Sequence, residues 1–432
     1  MLKKEYDVEV GNKIYTLAQK LWPINRSITG NGVRKTLSVI QSIIPDLTIH
    51  EVSSGTKVFD WEVPNEWNVN EAWIKDSQGN TVVDFKNNNL HLVGYSTPVD
   101  LKISLQELSD RLYSLPEQPE AIPYVTSYYS PWWGFCIKDR QKKKLKEEEY
   151  HVYIDSSLKP GSLTYGELLI PGKSEKEIFL STYICHPSMA NNELSGPCVT
   201  TYLAKWIQSL EDRNYSYRVV FIPETIGSIT YISKNIDVLK ERVTAGFNIT
   251  CVGDDRCYSY LPSRAGSTIA DTAAMHVLKH IDPSYKRYSF LERGSDERQY
   301  CAPGVDLPVA TIMRSKYGEY SEYHTSLDDL ENVVTPKGLQ GGFEAIKAAI
   351  SCVEYNLVPD NVHLCEPRLG KRGLRSNLSI AGTCDVHDLM NLIAYSDGTK
   401  SLLEIAEIIN VPFGKAIELY KILESHSILI EK

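Results

Sequence analysis

The chain has 432 residues, 42% of them apolar and 23% charged, with a formal net charge of −9. Its length exceeds what one hydrophobic core usually supports, so two or three domains are expected. No apolar run reaches membrane-spanning length, and the net acidity argues against generic affinity for nucleic acid or anionic membranes.

The first residues, Met1-Leu2-Lys3-Lys4-Glu5-Tyr6, lack the apolar segment of a signal peptide. Nine cysteines are scattered without C-x-x-C spacing, which predicts reduced thiols in a cytoplasmic protein and no disulfide framework or zinc finger. Residues 10–45 carry helical periodicity through Ile14, Leu17 and Leu21, then Val33, Leu37, Ile40 and Ile44, broken at Pro23 and at Thr29-Gly30-Asn31-Gly32. Between about 60 and 160 the character changes. Trp61, Trp67, Trp73, Trp132 and Trp133 fall here, with alternating segments such as Thr81–Phe85 and His151–Ile154 and a hairpin turn at Asp76–Asn80. This stretch reads as a β-rich insertion.

From about 165 to 357, apolar strands alternate with helices. Strand 178–184 precedes helix 196–210, strand 217–222 precedes helix 226–240, and strand 244–250 precedes a helix near 268–281; strand 308–313 and helix 336–356 follow. Such alternation predicts an α/β fold, a mostly parallel sheet with helices on both faces. The tail has helix 402–409, a turn at Asn410-Val411-Pro412, helix 414–425 and a closing strand 428–430, the pattern of a winged helix-turn-helix. Residues 366–432 hold eight Lys+Arg against nine Asp+Glu, so protein docking or self-association is expected of this tail rather than nucleic-acid binding. The expected domains are 1–59 with 161–364 for the α/β core, 60–160 for the insertion and 365–432 for the winged helix.

Three strand ends in the core carry polar residues. His186 and Glu193 follow the first, in Cys185-His186-Pro187 and Asn191-Asn192-Glu193-Leu194-Ser195-Gly196. Glu224 follows the second, in Pro223-Glu224-Thr225-Ile226-Gly227. His324 follows the last, in Tyr323-His324-Thr325-Ser326-Leu327-Asp328-Asp329. Open α/β sheets bind ligands beyond the carboxyl ends of their strands. Two imidazoles and one or two carboxylates there suit Zn²⁺, and a separate carboxylate would serve a bound water as general base. The plainer readings stand beside this one: Glu193 as a helix-start acid and Glu224 as an acceptor of backbone N–H groups. Cys185 is expected on the face opposite His186. His276 and His280 read as a surface pair, and Asp254-Asp255 and Asp328-Asp329 as loop acids.

The order strand-His, A-N-x-x-x-S-G opening a helix, strand-Glu-x-x-Gly, and late His-Thr resembles the zinc aminopeptidase family, whose relatives include the glutaminyl cyclases. The resemblance covers about residues 165–357. More closely, the layout is similar to a bacterial group with an aminopeptidase-like domain, an inserted β domain and a C-terminal winged helix. It implies a zinc-exopeptidase-like core whose insertion covers part of the crevice. It also implies a zinc-dependent aminopeptidase or related amide hydrolase acting on a small peptide or amino-acid conjugate. The family's bridging aspartate falls at Asn192, its second glutamate ligand at Thr225 and a further aspartate near Asn248. One zinc per chain is therefore expected, held by His186, Glu193 and His324, with Glu224 as base and Asp296 orienting His324 or the substrate. The alternative is a non-catalytic descendant that binds a ligand or partner.

Overall fold

Four strands, Ser216–Ile222, Glu177–Tyr183, Val243–Asn248 and Val309–Met313, lie side by side in that order and run parallel. Their residues are buried almost throughout, because both faces of the sheet are covered. Successive side chains serve different cores. Ile178, Leu180, Val219 and Phe221 point into one, and Phe179, Tyr183, Val220 and Ile222 into the other. The structure is a computed structural model and describes residues 9–374 and 384–432.

Helices Glu9–Leu21, Asn31–Gln41, Ser195–Gln208, Ile269–Ile281 and Pro336–Glu354 bury their apolar stripes in the first core. Helix Ile226–Arg242 lies in the second core, which it shares with the inserted region. Antiparallel strands extend the sheet on both sides: Ser162–Ile170 and Thr48–Ser53 beyond Ser216–Ile222, and Ser259–Leu261 beyond Val309–Met313. Lys286–Arg287 then pairs parallel with Ser259–Leu261 at the edge, and the crevice lies at the four central parallel strands.

The insertion holds a four-stranded antiparallel sheet, Thr81–Asp84, Glu66–Lys75, Glu149–Lys159 and Val99–Ser104 in spatial order. Arg34 clamps it to the core with a fork on Glu66 at 2.8 and 2.7 Å. The segment between Val99–Ser104 and Glu149–Lys159 reaches back over the core. Ile122 O accepts from Ser326 N, on the loop that bears His324, Ile122 N donates to Ser326 Oγ, and Tyr124 N donates to His324 O, each at 2.9 Å.

The winged helix contains a helix at Cys384–Tyr395 that the sequence reading lacks, followed by Leu402–Ile409 and Phe413–Ser425. Its closing strand, Leu429–Glu431, pairs antiparallel with Pro359–Asn361, so the wing draws its first strand from upstream of residue 365. Its apolar residues Leu392, Leu403, Phe413 and Leu423 join the first core. Among the described residues no helix is long and apolar enough to cross a membrane, and the cysteines are free thiols.

Candidate active site

Strand Glu177–Tyr183 leaves the sheet after Ile184, whose N–H still reaches Ile222 O. The chain then turns through Ser188 and Met189, both at positive φ, into a π-turn at Ala190–Leu194 and the helix Ser195–Gln208. Gly196 permits this close passage. A Cβ there would stand 2.5 Å from Ile249 O and from Thr182 Oγ1. His186 is thereby placed at the sheet's carboxyl end, at the floor of a crevice of about 380 Å³.

Glu193 does not face that crevice. Its side chain is fully buried behind His186. Oε2 accepts from His186 N and lies 3.0 Å from His186 Nδ1, while Oε1 takes the buried Arg26 Nε at 3.2 Å. Glu193, expected as a zinc ligand, has both oxygens engaged here and its charge answered by Arg26, although its carboxylate and ligand atoms of Cys185 and His186 all lie within 4.8 Å of one another. In this arrangement it orients the imidazole. A carboxylate on Nδ1 orients the ring so that Nε2 faces the crevice, an arrangement common behind metal-binding histidines.

His186 Nε2 points to Glu224 Oε2 at 3.6 Å. Glu224 follows strand Ser216–Ile222, and its N–H donates to Cys185 Sγ at 3.2 Å. Thr225, next in the chain, has φ 64°. His324 stands across the crevice, also at positive φ, with its ring stacked on Tyr323. The His186 and His324 ring centroids are 5.8 Å apart, and the Tyr124 ring sits edge-on 5.1 Å from each. Thr225, His324 and Tyr128 all line the crevice in a backbone conformation that costs about 1–3 kcal/mol for non-glycine residues, strain that collects at functional sites.

Burial pushes the Glu224 carboxyl up from its usual range, partly opposed by His186 and Arg298. Burial and the neighbouring Glu224 charge push Asp296 up to about 8. Burial and the His186 charge push His324 down to about 3, so its ring nitrogens are neutral at neutral pH. For His186, burial opposes protonation, but Cys185, Glu193 and Glu224 outweigh it and raise the imidazole's pKa.

Several other expectations need correction. Cys185 is not turned away from His186. Its Sγ lies 3.5 Å from His186 Nδ1, because both residues follow the strand and escape its alternation. Asp296 accepts from Thr225 N and Ser228 Oγ at 2.8 Å each, on the Glu224 side of the crevice, where its hydrogen bonds go to these groups rather than to His324. Asp328 is buried and accepts Asn191 N and Asn192 N, while Asp254 is buried and accepts Ser315 N and Oγ. Neither is an ordinary loop acid. His276 is buried against Glu407 rather than on the surface.

The spacing of His186 and His324 is compatible with one shared divalent ion, and their surroundings offer little to a second. Two imidazoles sharing one zinc, each at about 2.0–2.1 Å, have centroids about 5–6 Å apart, compatible with the His186–His324 spacing. The positions that would complete a second ion are neutral or engaged. Asn192 donates to Tyr183 Oη, Asn248 donates to Glu297, and neither lines the crevice. Thr225 Oγ1 accepts from Arg298 Nη2, which brings a cation where a second metal would need an anion.

Sequence reasoning missed Arg26, Tyr124, Tyr128 and Arg298. Arg26 lies in an aperiodic stretch after the first helix, and the tyrosines lie in a segment without regular structure. The abundance of tyrosine was the one available signal.

Residues 15–356 match the family model described as Domain of unknown function (DUF4910), and residues 357–431 match one described as winged helix-turn-helix. A Clostridium acetobutylicum protein, provisionally named a polysaccharide biosynthesis protein with aminopeptidase-like domain, is 46% identical over 401 residues, covering 92% of this chain and 91% of its own. A crystal structure of a provisionally named peptidase from Clostridium acetobutylicum has a TM-score of 0.93 at 43% identity, covering 98% of this chain and 97% of that one. A zinc aminopeptidase from Bacillus subtilis shares the fold at a TM-score of 0.58 and 12% identity, over 81% of this chain and 96% of that one.

Proposed function

The chain belongs to the family of the domain of unknown function DUF4910, an aminopeptidase-like core joined to a winged helix, and on that premise we propose that its crevice is the site of a zinc-dependent amide hydrolase. Its substrate would be a small peptide or amino-acid conjugate. The observation that carries this reading is His186, held at Nδ1 by Glu193 so that Nε2 faces Glu224, with a neutral His324 opposite. His186 and His324 would hold the ion, with Glu224 the one lining carboxylate close enough to reach it or its water. A bound zinc would supply Lewis-acid polarisation of the scissile carbonyl and a more acidic water.

The remaining work falls to the chain's own groups. Glu224, raised by burial, takes the proton from water as the new C–O bond forms and delivers it to the amine nitrogen as the C–N bond breaks. Asp296, hydrogen-bonded to Thr225 N and Ser228 Oγ, fixes the backbone beside Glu224. Tyr124 and Tyr128, joined Oη to Oη at 2.8 Å, roof the crevice with Trp61 and Tyr129 and limit the water that enters.

The test is hydrolysis of a panel of aminoacyl amides by zinc-loaded protein. Glu224→Gln is expected to cost about 10²–10⁴-fold in turnover while zinc content is unchanged. Turnover equal to the parent chain would remove Glu224 from the mechanism. A second reading, a non-catalytic ligand- or partner-binding descendant, is favoured by Asn192, Thr225 and Asn248, which leave the site short of anionic ligands. Absence of zinc from tag-free protein, together with no turnover on the panel, would select it. The winged helix we assign to protein docking or self-association, since Lys415 on its last helix is paired with Asp388. A cytoplasmic location suits the free thiols.

A further inference from the structure

Helix Ile269–Ile281 carries His276 and His280 one turn apart, with ring centroids 4.8 Å from each other. Helix Leu402–Ile409 of the winged helix brings Glu407 against them, its Oε1 2.5 Å from His276 Nδ1. One ligand-capable atom from each of the three lies within 4.8 Å of the other two. An ordinary hydrogen bond accounts for Glu407 and a single imidazole nitrogen. It leaves His276 Nε2 and His280 Nε2, both buried, without a hydrogen-bond partner, and His276 is only 2% exposed. Buried nitrogens with no partner are costly, so their pairing on one helix face asks for an occupant.

A cavity of about 290 Å³ adjoins both histidines, walled by Lys347, Cys352, Phe413 and Ile417. We propose that His276, His280 and Glu407 form a binding site for one divalent transition-metal ion of the zinc class, which ties the winged helix to the α/β core. Two imidazoles and one carboxylate are a donor set that zinc accepts in tetrahedral geometry, with a fourth position for water from the cavity. Of the two cations near the site, Lys347 in the cavity wall and Lys279, the latter has Nζ 3.3 Å from Glu407 Oε2, is 40% exposed and can swing into solvent when the ion arrives.

This site is independent of the crevice, and the test is built to keep them apart. Full-length, tag-free chain stripped of metal is titrated with Co²⁺ alone, following bound ion per chain and the visible absorption of the complex. His280→Ala should bind one Co²⁺ fewer per chain than the parent, whatever the crevice takes up. His280→Gln and Glu407→Gln guard against misfolding, each checked by unfolding without metal. Added Zn²⁺ should raise the thermal midpoint of His280→Ala less than that of the parent. Equal Co²⁺ stoichiometry in the parent and all three variants, or no Co²⁺ bound by any of them, would overturn the proposal.

Discussion

Glu193 shows how one buried partner decides what a residue can do. From the sequence it is a carboxylate seven residues after His186, equally suited to a metal or to a helix start. Arg26, brought from 167 residues away, turns it inward and makes it the prop behind His186. His186, Glu224 and His324 were legible because each follows an apolar strand, and strand ends deliver side chains to the crevice. The direction of Glu193 was not, because Arg26 lies in an aperiodic stretch that predicts no partner. Both side chains of this ion pair are fully buried. Arg26→Ala therefore strands a charge and should cost about 3–5 kcal/mol of stability by urea unfolding. A loss below about 1 kcal/mol, the range of an exposed pair, would contradict that account.

At the scale of elements, the parallel strands and the helices after them could be read because runs such as Ile178–Ile184 are apolar throughout. The flanking antiparallel strands could not. Thr48–Ser53 buries one of its six residues, and Ser259–Leu261 has only three. The roof over the crevice, residues 118–126, gains its shape by pairing with the His324 loop, a long-range contact with no local signature. Beside the apolar core that the two share, the insertion is tied to the core by the Arg34 fork on Glu66, which also accepts Ser162 N. Arg34 holds the Glu66 carboxyl down to about 2 from an ordinary 4.5. A depressed carboxyl contributes stability that is complete above its unfolded pKa and is lost as pH falls from 4.5 toward 2. The pair is partly exposed, so solvent screening limits the effect to about 1 kcal/mol. The stability advantage of the parent over Glu66→Gln should shrink between about pH 5 and about pH 3 by urea unfolding. A constant advantage across that window would show that Glu66 does not anchor the insertion through its charge.

The whole molecule places one crevice where three parts meet: the sheet supplies His186 and Glu224, a late loop supplies His324, and the insertion supplies the tyrosine roof. Its winged helix packs on the far core and shares apolar residues with it, so the two parts form one hydrophobic unit. The winged helix was legible from its last two helices and closing strand. The wing's first strand, Pro359–Asn361, was not, because three residues that include a proline carry no alternation. The central claim is a single metal between His186 and His324, with Glu193 behind the first of them and Glu224 facing it. Anomalous diffraction at the zinc edge, from crystals of tag-free protein supplied with zinc, tests it most directly. The account predicts one anomalous peak in the crevice within bonding distance of both imidazoles, with Glu193 still on Arg26. Two peaks in the crevice, none there, or one bonded to Glu193 would contradict it.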